Sequence, residues 1–270
     1  MEYIEFIVNI LGEASKIALA HFGKISGITK PDDNNQVLTD ADLAIGKKII
    51  SLIHDKYPTH NIIDEEAGII DNRSEFTWVI DPVDGTSNFA NGIVTYGVIV
   101  GLLKGGVPIA GGFALPAFSE IYSAEKGEGA FLNGEKITID DSKEELSSQL
   151  LAYGIDANHK NPDATRQECK LIAELILKIR NLRASGCVFD AAMVLKNKYG
   201  AYLANWGKIW DVAGVQVVVQ EAGGIFTNFI GKTIDYSNPL TRVNENFGLC
   251  ISSPKLHKQI QEIVNKNTGK

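Results

Sequence analysis

The chain has 270 residues, 44% of them apolar and 22% charged, which excludes disordered, fibrous and low-complexity classes. Acids outnumber bases 33 to 26, giving a net charge of −7, the wrong sign for wrapping a polyphosphate backbone, so nucleic acid is not an expected partner. The length fits one large domain or two fused lobes.

In chain order, Ile4, Ile7, Val8, Leu11 and Ala18 recur at helical spacing over residues 3–21. Residues 23–36 carry Gly, Pro and Asp-Asp-Asn-Asn and read as a loop or short hairpin. A second helix follows, capped by Thr39 or Asp40, with Leu43, Ile49, Ile50 and Ile53 on one face. Residues 61–63 and 78–80 are short apolar runs that end in acids. Segments 94–103, 107–115 and 119–124 are β-rich, and Asn133-Gly134 predicts a two-residue hairpin. This half reads as helices on a largely antiparallel sheet. After the polar stretch 140–149, strands and helices alternate: strand 150–155, helix 163–180, a helix from Asp190, strand 201–204, helix 211–221, strands 225–227 and 248–252, and helix 254–265. The alternation suggests an α/β lobe. Cys169, Cys187 and Cys250 are scattered without a C-x-x-C spacing and read as reduced thiols. No apolar run of about 18 residues is present to span a membrane. The acidic start shows no signal peptide, so a cytoplasmic location is expected.

The chemistry concentrates where strands end in acids. In residues 78–89, Trp-Val-Ile-Asp-Pro-Val-Asp-Gly-Thr-Ser-Asn-Phe, a buried strand delivers Asp81, Pro82 stops its ladder, and Asp84 follows on a turn. Gly85-Thr86 then offers free N–H groups to an anion. A second strand ends at Asp64-Glu65-Glu66, and Asp211 sits at a helix start after Trp210. Each alone also reads as a turn or a helix cap. If Glu65, Asp81, Asp84 and Asp211 converge, their repulsion calls for a cation between them. Oxygen-only ligands favour Mg²⁺ or Mn²⁺, whereas the five histidines have no zinc spacing.

These residues resemble the inositol monophosphatase superfamily of Mg²⁺-dependent, lithium-sensitive phosphatases. The pattern D-P-[IVL]-D-G-T-x-N-F matches residues 81–89, and a W-D-x-A-[AG]-G-like pattern matches from Trp210 to Gly214. Thr39-Asp40, Glu65-Glu66 and Glu221-Ala222-Gly223-Gly224 fall in the family's order. The resemblance implies an α+β/α/β chain folded as a layered αβαβα sandwich of two lobes, the sugar-phosphatase fold. Residues 1–143 would hold most metal ligands, and residues 144–270 those that select the substrate. It also implies two or three Mg²⁺ ions, replaceable by Mn²⁺. Glu65, Asp81 and the Val83 carbonyl would bind the first, Asp81, Asp84 and Asp211 the second, with a weaker third near Glu65. Catalysis would rest on Glu65 and on Thr86, hydrogen-bonded to Asp40, orienting a metal-activated water for in-line attack. The Gly85 and Thr86 N–H groups would hold the phosphate, and relatives are commonly homodimers. The loop containing Lys30 corresponds to a lid in relatives, or is a solvated surface loop.

The implied activity is hydrolysis of a small phosphorylated polyol or sugar of inositol monophosphate type, with Asp84, Ser185, Cys187, Asn205 and Asp211 on the substrate. Two departures bear on this. Residues 183–190 have one residue fewer between Gly186 and Asp190 than the family pattern, so either the loop is shorter or Ser185 takes the glycine position. Ala204 stands where relatives acting on inositol phosphates carry a Glu, and losing that acceptor costs on the order of 1–3 kcal/mol. Fructose 1,6-bisphosphatase, histidinol-phosphatase and 3′-phosphonucleotide phosphatase activities therefore stay open. So do a non-catalytic member binding a protein or RNA complex, and a slow sugar-phosphate sensor. A haloacid-dehalogenase reading is disfavoured, because Asp81 and Asp84 are three apart rather than two.

Overall fold

The computed structural model describes residues 2–24, 28–29, 37–143 and 145–268. Helix α1 (Glu2–His21) buries Phe6, Ile7, Ile10, Leu11, Ala14 and Ala18 along one stripe, as its periodicity predicts. Strands β1 (Ile28–Thr29) and β2 (Val37–Leu38) pair antiparallel, the hairpin option for this segment. Residues 25–27 and 30–36 of the expected loop, Lys30 included, lie outside the described residues. Thr39 caps α2 (Asp40–Lys56): its Oγ1 accepts the Ala41 N–H at 3.2 Å, and its own N–H donates to Asp42 Oδ2 at 2.8 Å.

Eight strands follow: β3 (Asn61–Asp64), β4 (Gly68–Ile70), β5 (Phe76–Asp84), then, beyond the short helix α3 (Thr86–Ala90), β6 (Gly97–Lys104), β7 (Val107–Leu115), β8 (Glu120–Glu125), β9 (Gly129–Leu132) and β10 (Glu135–Ile137). They form one sheet in the order β10-β9-β8-β7-β6-β5-β3-β4. Every neighbouring pair is antiparallel except β3 with β5. Asn133 and Gly134 take φ of 50° and 83° between paired Leu132 and Glu135, the hairpin that the dipeptide predicts. Pro82 does not end its strand as expected. β5 runs on to Asp84 through a bulge, with Asp81 opposite Ile99 and Asp84 opposite Gly97; the missing proline N–H is tolerated because the ladder is already interrupted there.

The second half contributes β11 (Leu150–Gly154), α4 (Pro162–Ile176), β12 (Asn181–Arg183), α5 (Val188–Leu195), β13 (Ala201–Ala204), α6 (Ile209–Glu221), β14 (Ile225–Thr227), β15 (Leu249–Ser252) and α7 (Pro254–Thr268). Its sheet has the order β12-β11-β13-β15-β14, parallel at β12/β11/β13 and antiparallel beyond.

Three apolar clusters stack these elements into αβαβα layers. α1 and α2 cover one face of the large sheet, where Ile7, Ile10, Ile45 and Ile49 meet Trp78 and Ile80. α5 and α6 fill the middle, between Val79 and Phe113 of the large sheet and Tyr202 and Ile251 of the small one. α4 and α7 cover the outer face through Leu171, Leu175, Ile260 and Val264. Trp78 and Ile80 face one layer and Val79 the other, the two-residue alternation of a strand buried on both sides. The middle layer sits unusually close to the large sheet. A Cβ added to Gly111 would lie 2.4 Å from the Gly214 carbonyl oxygen, and one on Gly101 would lie 2.8 Å from the Gly214 nitrogen. Only glycines allow this approach.

Candidate active site

Parallel pairing of β3 with β5 sets Asp64 beside Ile80, so the next residues of both strands, Glu65 and Asp81, emerge at the same sheet edge. The Glu65 N–H donates to the Ile80 carbonyl at 3.2 Å. Asp64 Oδ1 accepts the N–H groups of Glu66 and Ala67 at 2.9 and 2.7 Å, turning the chain back immediately after Glu65. The bulge in β5 carries Asp84 to the same edge, where its Oδ2 accepts the Val188 N–H at the start of α5. Asp211, in the first turn of α6, has an Oδ2 that accepts the Lys208 N–H. It is thus a helix cap and a member of the cluster at once; the two readings of this residue do not compete.

Carboxylate oxygens of Asp81, Asp84 and Asp211 lie within 4.8 Å of one another, and Glu65 shares their cleft. Asp81 and Asp84 are 2% and 8% exposed. Burial holds both carboxyls well above the usual carboxylate range. For Asp81, the charges of Glu65, Asp84 and Asp211 add to the effect; for Asp84, Asp211 is the main charged neighbour, and the Val188 N–H pulls the other way. Asp81 Oδ1 is buried without a hydrogen-bond partner among the described residues. A divalent cation with oxygen ligands would satisfy this orphaned atom and neutralise the cluster. The donor set fits such an ion.

Gly85 takes φ +83° and opens α3; a Cβ there would lie 3.1 Å from Cys187 Cβ. The Thr86 hydroxyl is 2.7 Å from the Val83 carbonyl oxygen and 3.4 Å from Asp42 Oδ1. This corrects the expected Thr86–Asp40 pair. Asp40, at the first position of α2, is exposed, whereas Asp42 is 1% exposed and turned inward. Burial raises the Asp42 carboxyl to about 6 against the hydrogen bonds from Thr39. Leu43, assigned to the buried face from sequence, is 51% exposed. The phase actually buried, Ile45, Ile49 and Ile53, places Asp42 one turn before Ile45, which is the signal that could have singled it out.

The acids line a cleft of about 1110 Å³ to which both halves of the chain contribute residues. Of the residues expected on the substrate, Asp84, Ser185, Asn205 and Asp211 line it, and Gly186 does too. Cys187 does not. It is 2% exposed, with Sγ 3.3 Å from the Thr95 carbonyl oxygen, and burial raises its thiol well above the ordinary range, with Asp84 and Asp190 adding to the effect. Its side chain packs behind Gly85 and is a core thiol. Gly186 keeps the turn, with φ +68°, and Asp190, fully buried, accepts the N–H groups of Ser185 and Gly186 at 3.1 and 3.0 Å. Ala204 is 1% exposed on β13. All three cysteines are free, and among the described residues no helix is long and apolar enough to cross a membrane.

The family description "Inositol monophosphatase family" matches residues 1–268. An inositol monophosphatase 1 of Solanum lycopersicum is 34% identical over 208 residues, covering 75% of this chain and 76% of that protein. A fructose-1,6-bisphosphatase/inositol-1-monophosphatase of Thermotoga maritima is 27% identical over 269 residues (98% and 97%). A Nus factor SuhB of Haemophilus influenzae is 32% identical over 234 residues (86% and 82%). Among solved structures, a Thermotoga maritima IMPase superposes with a TM-score of 0.86 at 25% identity, covering 100% of this chain and 99% of that one. The extragenic suppressor protein suhB of Bartonella henselae gives 0.87 at 21% identity, over 98% and 99%, a likeness of fold.

Proposed function

The chain belongs to the inositol monophosphatase family, and from that premise we propose that it is a magnesium-dependent phosphomonoesterase. Its substrate class is a small phosphorylated polyol or sugar, hydrolysed by in-line attack of water on phosphorus. The observation that carries this reading is the meeting of Asp81, Asp84 and Asp211, oxygens within 4.8 Å of one another, from elements far apart in sequence. Glu65, Asp81 and the Val83 carbonyl would hold one ion, and Asp81, Asp84 and Asp211 a second. A third, weaker ion would sit near Glu65, and Mn²⁺ would substitute for Mg²⁺.

Bound there, the ions supply charge neutralisation at the phosphoryl oxygens and acidify a water. The remaining work falls to the chain. The Thr86 hydroxyl, between the Val83 carbonyl and Asp42, orients the attacking water and hands its proton toward the Asp42 carboxylate. The N–H groups of Gly85 and Thr86 bind phosphate oxygens, and the turn at Gly85 holds them in place. Asp84, Ser185, Asn205 and Asp211 face the leaving group. The active form is a cytoplasmic homodimer, which sedimentation at twice the 29.3 kDa chain mass would check.

The test is phosphate release from inositol 1-phosphate, fructose 1,6-bisphosphate, histidinol phosphate and 3′-phosphoadenosine 5′-phosphate, with Mg²⁺ and with or without Li⁺. Magnesium-dependent release that lithium suppresses is the expected result. No release from any ester would overturn the reading in favour of a binding role in a larger complex, the role suggested by relatives named Nus factor SuhB.

A further inference from the structure

Ala204 is buried and offers a substrate no hydrogen-bond acceptor at its position. The neighbouring strand β11, paired with β13 so that Gly154 lies beside Ala204, leads to a position that does. Ala164 and Glu168, one turn apart on α4, both line the cleft together with Tyr153 at the end of β11. The Tyr153 ring is fully buried, edge-on to Phe229 with centroids 6.2 Å apart. Its hydroxyl donates to Glu168 Oε1 at 2.8 Å. A phenol locked into the core thus fixes the carboxylate from one side. Oε2 has no protein donor among the described residues, and the group is partly desolvated, which raises its carboxyl above the usual range. A half-buried carboxylate, held by one oxygen and open at the other in a substrate cleft, calls for a donor from the ligand.

We propose that Glu168, positioned by Tyr153, is a specificity-determining residue that accepts a hydrogen bond from a leaving-group hydroxyl and so selects a neutral, hydroxyl-rich alcohol. The inference rests on the phosphomonoesterase reading above and narrows its substrate class. The wall at this point is negative, since Asp156 lies close enough to Glu168 to raise its carboxyl further, and it disfavours a second phosphate on the leaving group. Of the basic residues of the same cleft, His159 and Lys160 are exposed and Lys208, half-buried, has its Nζ turned to the Asn244 carbonyl at 2.8 Å.

The experiment compares kcat/KM of the wild type, Glu168→Gln, Glu168→Ala and Tyr153→Phe for four esters in Mg²⁺. Inositol 1-phosphate and glucitol 6-phosphate carry hydroxyls, phenyl phosphate carries none, and fructose 1,6-bisphosphate carries a second phosphate. Each variant's Mn²⁺ affinity is measured by titration, and is expected within twofold of wild type because Glu168 lies outside the metal set. The wild type should prefer the polyol monophosphates. The ratio of polyol ester to phenyl phosphate should fall about 10- to 100-fold in Glu168→Ala, the range for losing a charged acceptor, and less in Glu168→Gln and Tyr153→Phe. The ratio of bisphosphate to polyol monophosphate should rise in both Glu168 variants. An active wild type whose ratios do not move in the Glu168 variants refutes this inference alone. A wild type inert on all four esters refutes the phosphatase reading, and this inference with it.

Discussion

Replacing Gly214 by alanine tests whether the close approach of α6 to the large sheet positions Asp211. A Cβ there would stand 2.5 Å from the Val100 carbonyl oxygen, 2.9 Å from its carbon and 3.2 Å from the Gly101 nitrogen. All three are backbone atoms of a central strand, which cannot swing away as a side chain would. Reaching an ordinary contact of about 3.4 Å requires α6 to back off by about 0.9 Å. Overpacking of this kind costs about 1–3 kcal/mol, offset by about 1 kcal/mol of better helix propensity. The net loss of up to about 2 kcal/mol lowers Tm by up to about 8 °C for a chain of this size. Asp211 travels with the helix, and a displacement approaching 1 Å takes it outside the tolerance of a preorganised site, so Mn²⁺ affinity should fall about tenfold or more. Calorimetric melting and Mn²⁺ titration read the two effects separately. Gly12→Ala is the control: nothing lies within 4 Å of its added Cβ, so on α1 the propensity gain should appear alone as a small rise in Tm. Wild-type Tm and wild-type metal affinity in Gly214→Ala would refute the packing argument.

Other expectations follow from the same geometry. Asp84→Asn should abolish most Mn²⁺ binding and cut phosphate release by orders of magnitude while the far-UV spectrum stays native; wild-type rates would remove Asp84 from the metal set. Asp42→Ala should slow phosphate release at least about 100-fold, whereas Asp40→Ala, at an exposed position, should stay within about threefold; the reverse order would restore Asp40 to the role. His257 sits between Ser252 Oγ, 3.1 Å from Nδ1, and Thr227 Oγ1, 3.2 Å from Nε2, and burial lowers its pKa. A base whose folded pKa is depressed stabilises the fold above its unfolded value of about 6.5, and that stability is lost as pH falls through this value toward the folded pKa. The stability difference between wild type and His257→Gln should therefore shrink on going from pH 7.5 to 5.5, and a difference independent of pH would sink the assignment.

The acid-tipped strands were legible because the features that expose them are local: an apolar run, a proline, a glycine and a threonine within nine residues. The layer order followed from the resemblance, and the structure bears it out through three separate apolar clusters. What stayed hidden was angular. Asp40 and Asp42 lie about 200° apart around a helix axis, so choosing between them requires the buried phase of α2, and apolar Leu43 and Ile50 beside that phase blurred it. The orientation of Cys187 is hidden for a related reason. The sequence places it next to a substrate loop but does not say whether the side chain turns toward the cleft or behind it. Glu168 sits mid-helix among charged neighbours, and only the Tyr153 hydroxyl distinguishes it from any solvated glutamate.

The lone parallel pair in the large sheet, β3 with β5, has an evolutionary consequence. Side chains alternate between faces with every step along a strand, so losing or gaining one residue in 61–64 would carry Glu65 to the opposite side or out of line with Asp81, whatever the apolar content preserved. Homologous chains should therefore vary in length at the β4–β5 connection or the β9–β10 hairpin, and hold an unbroken count from Asn61 to Glu65 and from Phe76 to Asp84. Directed evolution on this scaffold would meet the same boundary: random insertions should be purged from β3 long before its hydrophobicity is compromised.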